Sequence, residues 1–232
     1  MDPIKYLSRI DLFRGLSGEE LRQLNAFTPM HTCKKGTVVA SPHLERKALY
    51  LIKAGKVRLY KLTEDGKELT LDLLRTGHIF GDMTSFRTET RMFAVTMEDS
   101  VICSIDREQF QTIIGEKPGL ALAYIDIVTA RLKEVEEWLE YMAYGSVRKR
   151  LLFLLNKLSA KFGAGGEDEP EWGRLQVELT HQELASMTGS MRETITPLLN
   201  RLVSEGVLRK EAARGPYWIH RERLRAALAA SK

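Results

Sequence analysis

The chain has 232 residues, 44% of them hydrophobic and 28% charged, which is an ordinary globular composition and enough for one large or two modest domains. Its formal net charge of +4 is compatible with a polyanionic partner but is too small to establish one. Two cysteines without a CxxC pair argue against a disulfide framework or a structural zinc site, and the short apolar runs predict no signal peptide and no membrane span, so we expect a cytoplasmic protein.

The first third of the chain predicts a short helix followed by many β-strands. Residues 9–27 contain a helix start, because Ser17 is followed three residues later by Glu20, the spacing of a capping box. From about 30 to 108, short β-rich runs alternate with turn signals such as KKG, EDGK and RTGH. Many short strands at this spacing predict an antiparallel sandwich or barrel. The runs are TVVA, ALYLIKA, KVRLYKL, ELTLDLL, FAVTM and VICSI.

A helical heptad pattern begins near residue 118. Six apolar residues follow at spacings of 3, 4, 3, 4 and 3, with charged residues on both flanks. Such a stripe either packs on its own domain or joins two copies of the chain, and its narrowness favours a homodimer. Trp138 and Tyr141 lie beside the stripe and could widen it. The stripe consists of Ile125, Val128, Leu132, Val135, Leu139 and Met142.

The last third of the chain mixes helices and strands. AYGS ends the heptad helix, Ser146 is predicted to cap the helix VRKRLLFLLNKLSAKFG, and Gly163 to end it. GAGGEDEPEWG is then predicted to be a polar loop and LQVELT a strand. THQELASMTG and SMRETITPLLNRLVSEG are predicted to be helices, VLRKEAARGPYWIHR a hairpin and ERLRAALAASK a final helix. Helix, tight turn, second helix and hairpin together predict a winged helix-turn-helix.

The helix-turn-helix has the residues that its geometry requires. Thr180 is predicted to cap the first helix, with Glu183 at the third position. Ala185 is small where two helices must approach, and Gly189 supplies the turn. The second helix is predicted to begin at Ser190, so its N-terminal residues would reach base edges in the major groove of double-stranded DNA.

The first turns of the second helix have side chains that suit DNA. Arg192 can bond guanine O6 and N7, Glu193 can accept from the cytosine amino group, and Thr196 projects one turn further on. Glu193 has a second interpretation, as the capping-box partner of Ser190, and both roles can hold at once. The predicted phosphate contacts are Thr180, His181, Gln182 and Ser190, with Lys210 or Arg214 from the hairpin.

Three stretches have the content and order of a known family. They are LFRGLSGEELRQL, YLIKAGKVRLYKLTEDGKELTLDLLRTGHIFGDM and LTHQELASMTGSMRETITPLLNRL. The chain resembles the cyclic-AMP receptor protein / fumarate-nitrate regulator family of bacterial transcription factors over nearly its whole length. The resemblance implies an α+β fold: a cyclic-nucleotide-binding-like antiparallel β-barrel (jelly roll) over 1–117, a dimerisation helix over 118–144 and a winged helix-turn-helix over 145–232. It also implies a homodimer that binds two-fold symmetric DNA and contacts RNA polymerase to activate or repress transcription.

Pro197 departs from the family's reading helix. Members read a half-site with a glutamate, matched by Glu193, and a preceding arginine, matched by Arg192. A second arginine typically lies four residues after the glutamate, where this chain has Pro197. A proline removes a backbone donor and weakens an unconstrained helix by roughly 3 kcal/mol. The break lies beyond Arg192 and Glu193, so we expect both to remain available for bases, with or without a kink.

The predicted effector pocket also differs from that of the family's cyclic-nucleotide binders. These use a Gly-Glu-Leu turn and a later Arg-Ser or Arg-Thr pair for the ribose and the cyclic phosphate. The matching stretches here are Gly81-Asp82-Met83 and Thr90-Arg91, the second in reversed order. Lys133-Glu134 lies about where adenine-binding members have Thr-Ser. Together these three differences count against cyclic AMP, which stays one candidate among several.

The residues present exclude one further effector and leave several others open. An iron–sulfur cluster would need about four cysteines. Haem, a thiol redox switch at Cys33 or Cys103, another small molecule and no ligand at all stay open. No enzyme motif is present, and GAGGEDE lacks the Lys-Ser/Thr of a phosphate loop. The alternative to a DNA-binding regulator is a cyclic-nucleotide sensor whose main role is ligand binding. The candidate haem ligands are His31, Cys33, His43 and His78.

Overall fold

The computed structural model of the chain describes residues 3–25, 28–43, 48–81, 92–165, 169–210 and 215–230. By its internal packing the chain divides into two units, Met1–Leu132 and Lys133–Lys232. The boundary lies inside a long helix that spans Pro118–Tyr144. The finer division into segments 1–117, 118–144 and 145–232 stays a prediction.

The first unit is built on antiparallel strands. They are β1 (Met30–Cys33), β2 (Val38–Ala40), β3 (Ala48–Ala54), β4 (Lys56–Leu62), β5 (Glu68–Arg75), β6 (Ile79–Gly81), β7 (Met92–Thr96) and β8 (Ser100–Asp106). One sheet has the order β1-β8-β3-β6 and the other β2-β7-β4-β5. Each of the six runs predicted as strands between residues 30 and 108 forms one, and the two four-stranded antiparallel sheets confirm the predicted antiparallel sandwich or barrel. Strands β1 and β6 were not predicted.

Strand β3 explains how the sheets pack, because its side chains are buried on both faces. Tyr50 and Ile52 join a core cluster between the two sheets, in which Tyr50 stacks on Phe80 with ring centroids 4.9 Å apart. Leu49 and Leu51 point the other way, into a cluster closed by helical segments. Burial on both faces gives β3 a continuous apolar run instead of the alternation seen in half-buried strands.

Helices cover the outer face of the β3 sheet. They are α1 (Pro3–Leu7), α2 (Gly18–Asn25), α3 (Arg107–Glu116) and α4 (Pro118–Tyr144). The capping box predicted before α2 is confirmed, since the Ser17 N–H donates to Glu20 Oε2 over 2.8 Å and the Glu20 N–H to Ser17 Oγ over 3.3 Å. Helix α3 was not predicted, although Asp106 and Gln109 form a capping box at its start. No helix in the described part of the chain is both long and apolar enough to cross a membrane.

The second unit combines helices with a small sheet. Its elements are α5 (Val147–Phe162), β9 (Gly163–Gly165), β10 (Trp172–Leu175), α6 (His181–Thr188), α7 (Arg192–Ser204), β11 (Leu208–Lys210), β12 (Tyr217–His220) and α8 (Arg221–Ala230). The sheet has the order β11-β12-β10-β9. The Ser146 cap is confirmed, because its side chain accepts from the Lys149 N–H. Leu151, Leu152 and Leu155 of α5 are fully buried.

Two predictions between α5 and α6 were wrong. The strand predicted in LQVELT lies earlier, at Trp172–Leu175, and the predicted polar loop contains β9 and the start of β10. Pairing decides this placement, because Gly173 lies opposite Ile219 of β12 and Gly165 of β9. Past Leu175 the Gln176 N–H donates to the Phe162 carbonyl over 2.8 Å, so the chain leaves the ladder.

Candidate nucleic-acid interface

A tight left-handed turn joins α6 to α7. Gly189 has φ 58° and ψ 42°, a conformation that glycine adopts without steric cost. The Gly189 and Ser190 N–H groups both donate to the Ala185 carbonyl, and Ala185 is completely buried. A Cβ at Gly189 would lie 2.6 Å from the Met142 methyl carbon. The left-handed backbone favours the glycine predicted for this turn, whereas the flexible end of the Met142 side chain could move away from a Cβ.

Thr180 begins α6 with the predicted capping box. Its hydroxyl accepts from the Glu183 N–H over 3.1 Å, and the Glu183 carboxylate accepts from the Thr180 N–H over 2.7 Å. The same carboxylate accepts from the Thr180 hydroxyl over 2.8 Å. These bonds satisfy backbone donors that a helix start leaves without partners.

Replacing Thr180 with alanine should lower the free energy of unfolding by about 1 kcal/mol, because the cap at the start of α6 is lost. Urea unfolding followed by tryptophan fluorescence measures the stability of the unit that contains α6. The chain's three tryptophans all lie in that second unit, at Trp138, Trp172 and Trp218. Thr180→Ser keeps the hydroxyl and should unfold like the wild type. Equal stability of the alanine and serine variants would contradict the cap.

The start of α7 differs from its prediction. The N-cap is Met191 instead of Ser190, and no side chain caps the helix. Ser190 is part of the turn, because its N–H closes on α6. The Met191 carbonyl accepts from the Thr194 and Ile195 N–H groups, each over 3.1 Å. With this register Glu193 is the second helical residue, so its interpretation as a capping-box partner of Ser190 is wrong and its carboxylate is left for other contacts.

Helix α7 has one buried and one exposed face. Ile195, Leu199 and Leu202 are buried against the unit's core. Arg192 and Glu193 are exposed in the first turn. The helix continues through Pro197 to Ser204. The missing proline N–H removes the i+4 partner that a helix normally gives the Glu193 carbonyl, one turn beyond the two charged side chains.

His181 lies between α7 and β12. Its Nδ1 is 2.9 Å from the Thr196 hydroxyl, and its Nε2 is 3.1 Å from the Tyr217 hydroxyl. Burial lowers the pKa of His181, and the positive charges of Lys210 and Arg192 lower it further, which favours the neutral ring. Burial raises the pKa of Tyr217, which keeps its hydroxyl protonated. The sequence placed His181 at the interface but did not indicate Tyr217, which is 36 residues away.

The other residues predicted to contact DNA phosphates lie on α6, in the turn before α7 and in the hairpin. Thr180 and Gln182 are exposed at the start of α6, and Ser190 is half-buried in the turn. Lys210 is half-buried on β11, with its Nζ 4.8 Å from the centroid of the Tyr217 ring. Arg214 lies outside the described residues. The roles of these residues toward DNA stay predictions.

The predicted stripe on α4 is largely exposed in the single chain. Exposure is 56% for Ile125, 48% for Val128, 56% for Leu132 and Val135, and 66% for Leu139. Met142 differs, because it is half-buried with its sulfur 3.7 Å from Arg150 Nη1.

The exposed stripe is longer than predicted and is not widened by its aromatic neighbours. Leu122, 65% exposed, extends it by one turn toward the helix start. Trp138 and Tyr141 do not widen it, because both rings stack on Phe153 of α5, with centroids 5.5 and 3.9 Å away. The stripe therefore stays narrow.

Gly81 is the predicted effector residue that the structure describes. It ends β6 with φ 127°, and a Cβ there would meet the Ala48 carbonyl oxygen, so the turn requires glycine. Asp82, Met83, Thr90 and Arg91 lie outside the described residues. A role for Gly81 in effector binding stays a prediction.

The candidate haem and redox residues all lie in the first unit. His31 and His43 are exposed, and His78 Nε2 is 4.0 Å from Asp11 Oδ2. Within the described ranges, no three His, Cys, Asp or Glu side chains are grouped as metal ligands would be. Burial raises the pKa of both Cys33 and Cys103, which lowers the fraction of reactive thiolate.

Comparison with known proteins identifies both units. Residues 30–117 match the family model of the cyclic nucleotide-binding domain, and residues 149–227 match the Crp-like helix-turn-helix domain. The chain is 31% identical over 199 residues to the cyclic AMP receptor protein of Thermus thermophilus, covering 85% of this chain and 88% of that protein. It is 29% identical to the global nitrogen regulator of Synechococcus elongatus, covering 84% of this chain and 86% of that one.

Solved structures show the same similarity. A CooA variant from Carboxydothermus hydrogenoformans superposes with a TM-score of 0.74 at 28% identity, covering 89% of each chain. A transcriptional regulator from Thermus thermophilus superposes with a TM-score of 0.69 at 26% identity, covering 88% of this chain and 100% of that one.

Proposed function

The chain belongs to the CRP/FNR family of DNA-binding transcription regulators, and from this premise we propose that it reads a two-fold symmetric site as a homodimer through the first turns of α7. The observation that carries the proposal is the exposure of Arg192 and Glu193 at the start of α7, in front of a buried apolar face. The N-terminal residues of such a helix are those that enter the major groove.

The two charged residues have complementary chemistry. The Arg192 guanidinium can donate to both O6 and N7 of guanine, and the Glu193 carboxylate can accept from the cytosine amino group. Because Glu193 takes no part in a cap, its carboxylate is available for that contact. Contacts to phosphates then fix the register of the helix. We assign them to Thr180, Gln182, Ser190, Lys210 and Arg214.

The exposed stripe of α4 supports the homodimer. Large apolar side chains recur along it at heptad spacing and are about half exposed or more in the single chain. Two copies of α4 packed along this stripe would bury these side chains and present two α7 helices with two-fold symmetry. The palindromic DNA site follows from that symmetry.

For the effector and the protein partner, the proposal rests on the family and on fewer residues of this chain. The cyclic nucleotide-binding match supports a ligand site at the Gly81 turn. Relatives named cyclic AMP receptor protein and cAMP-activated regulator make cyclic AMP the first ligand to test. The differences at Asp82 and at Thr90-Arg91 favour another small molecule. We assign RNA polymerase as the protein partner. We assign the cytoplasm as the place of action, because the DNA of a bacterial cell lies in the cytoplasm.

Selection of bound sequences from random double-stranded DNA tests the proposal directly. The purified protein should enrich two inverted half-sites with centres about one helical turn apart. Addition of cyclic AMP, or of haem, should sharpen the enrichment only if that molecule is the effector. Enrichment of an asymmetric site, or of one half-site alone, would overturn the proposed homodimer. A ligand sensor without a DNA-binding role would enrich nothing under any of these conditions.

Pro197→Arg should strengthen the preference for guanine at one base pair of each half-site. The new guanidinium lies one turn after Glu193 and adds a bidentate contact of about 1–3 kcal/mol against the wrong base. Pro197→Ala is the matched control, because it restores the helical N–H without adding a guanidinium. Competition between DNA duplexes that vary at this base pair measures the effect. A wild type that already requires guanine there would show that another residue makes the contact.

A further inference from the structure

The His181 ring connects the two helices of the helix-turn-helix with the sheet. It lies at the start of α6, contacts Thr196 on α7 through Nδ1, and contacts Tyr217 on β12 through Nε2. Tyr217 is only 5% exposed, whereas Thr196 is half-buried. Thr196 lies four residues after Arg192 and therefore on the same face of α7.

We propose that His181 is a positioning residue, held in one tautomer by Tyr217, which makes the Thr196 hydroxyl a hydrogen-bond donor to a purine N7 of the DNA site. The inference rests on the proposed function, because it requires that the first turns of α7 face the bases. It gives Thr196, which the sequence already placed with Arg192 and Glu193 at the DNA, a defined contact that determines sequence preference.

The hydrogen bonds from Tyr217 to His181 and from His181 to Thr196 form a relay. The donors and acceptors available to these three side chains favour one direction of donation along it. A neutral imidazole has one donor and one acceptor nitrogen, so Thr196 and Tyr217 must take opposite roles. A phenol is a better donor and a poorer acceptor than an aliphatic hydroxyl. The Tyr217 O–H therefore donates to Nε2, and the Nδ1–H donates to Thr196 Oγ1. The hydrogen of the Thr196 hydroxyl is then left for the DNA.

The charges around the ring agree with a neutral His181. Arg192 on α7 and Lys210 on β11 both act on it, and Tyr217 on β12 is an uncharged phenol. On α6 itself, the Glu183 carboxylate is engaged with Thr180. A neutral ring keeps the tautomer fixed by Tyr217 across the neutral pH range. Protonation would add a hydrogen at Nε2 and leave the Nδ1–H donation to Thr196 unchanged.

Atom-level changes in the DNA test the Thr196 contact. In the selected site, each purine near the base read by Arg192 is replaced in turn by its 7-deaza analogue, which lacks the N7 acceptor. One such replacement should weaken wild-type binding by about 5-fold, the worth of one hydrogen bond. Thr196→Val, which keeps the side-chain shape, should bind the unmodified site weaker by the same factor and lose nothing more with the analogue. Thr196→Ser should behave like the wild type.

The relay itself is tested by conservative variants and a pH profile. His181→Asn keeps a donor near the Nδ1 position and should retain the N7 preference, whereas His181→Leu should lose it. Tyr217→Phe frees the tautomer, so its preference should be weak at pH 8 and recover toward pH 6, where a protonated ring again donates to Thr196. The wild-type preference should stay constant over this range.

Three results would overturn the inference. They are a 7-deaza scan that gives the same profile for the wild type and Thr196→Val, a wild-type preference that rises as the pH falls, and a Tyr217→Phe variant with the wild-type profile. Arg192→Ala tests whether α7 reads the bases at all, independently of the contact proposed for Thr196. If that variant loses preference at its own base pair while Thr196→Val does not, the relay is wrong and the proposed function stands. If Arg192→Ala also changes nothing, the proposed reading face of α7 is wrong.

Discussion

Arg192→Ala should weaken binding to the selected DNA site by about 1–3 kcal/mol, roughly 5- to 150-fold, and abolish the preference for guanine at one base pair. The expectation follows from the exposed position of Arg192 in the first turn of α7, where its guanidinium can make two bonds to one guanine. Titrations of labelled duplexes at one fixed salt concentration measure the affinity, because phosphate contacts make it depend on salt.

Arg201→Ala is the matched control for this loss of charge. Arg201 is exposed in the last turns of the same helix and pairs with Glu205, with 3.1 Å between Nε and Oε1. Its replacement should change binding little, and by the same factor for every sequence. A uniform loss in both variants would show that Arg192 contacts phosphate instead of a base.

If α4 joins two copies of the chain as proposed, Leu139→Glu should convert that dimer into a monomer. The substitution places a carboxylate in the middle of the apolar stripe of α4, where burial of an unpaired charge costs several kcal/mol. Light scattering coupled to size-exclusion chromatography should give the mass of one chain, 26.4 kDa, where the wild type gives twice that mass. Binding to the palindromic site should fall in parallel, because two linked half-site contacts become independent.

Lys133→Glu introduces the same side chain on an exposed flank of α4. It lies outside the heptad positions, so the variant should remain a dimer and bind DNA. A dimeric Leu139→Glu protein that still binds a palindrome would place the dimer contact elsewhere. The tryptophan fluorescence of both variants checks that the second unit is folded.

Local patterns were sufficient for most of the fold. Heptad spacing predicted the central helix α4, and short β-rich runs between turn signals predicted β2, β3, β4, β5, β7 and β8. Strand β1 was missed because Met30, His31 and Thr32 are exposed and show no alternation. Strand β10 was misplaced because its position depends on pairing with β12, which is distant in sequence.

The candidate site was predicted in composition more accurately than in geometry. Arg192 and Glu193 are exposed where the sequence placed them, but the helix begins at Met191 because the Ser190 N–H is used by the preceding turn. Serine is a common N-cap residue, but the Ser190 side chain makes no capping hydrogen bond to α7. The contact between His181 and Tyr217 could not be predicted, since no local pattern reports on a side chain across the sheet.

Pro197 has a consequence at the scale of a genome. If the missing second arginine leaves one base pair unread in each half-site, two unspecified pairs multiply the number of matching sequences about 16-fold. Such a protein would occupy a wider set of promoters, graded by how well each satisfies the remaining contacts. The side chain at position 197 would then set how many DNA sites the regulator occupies.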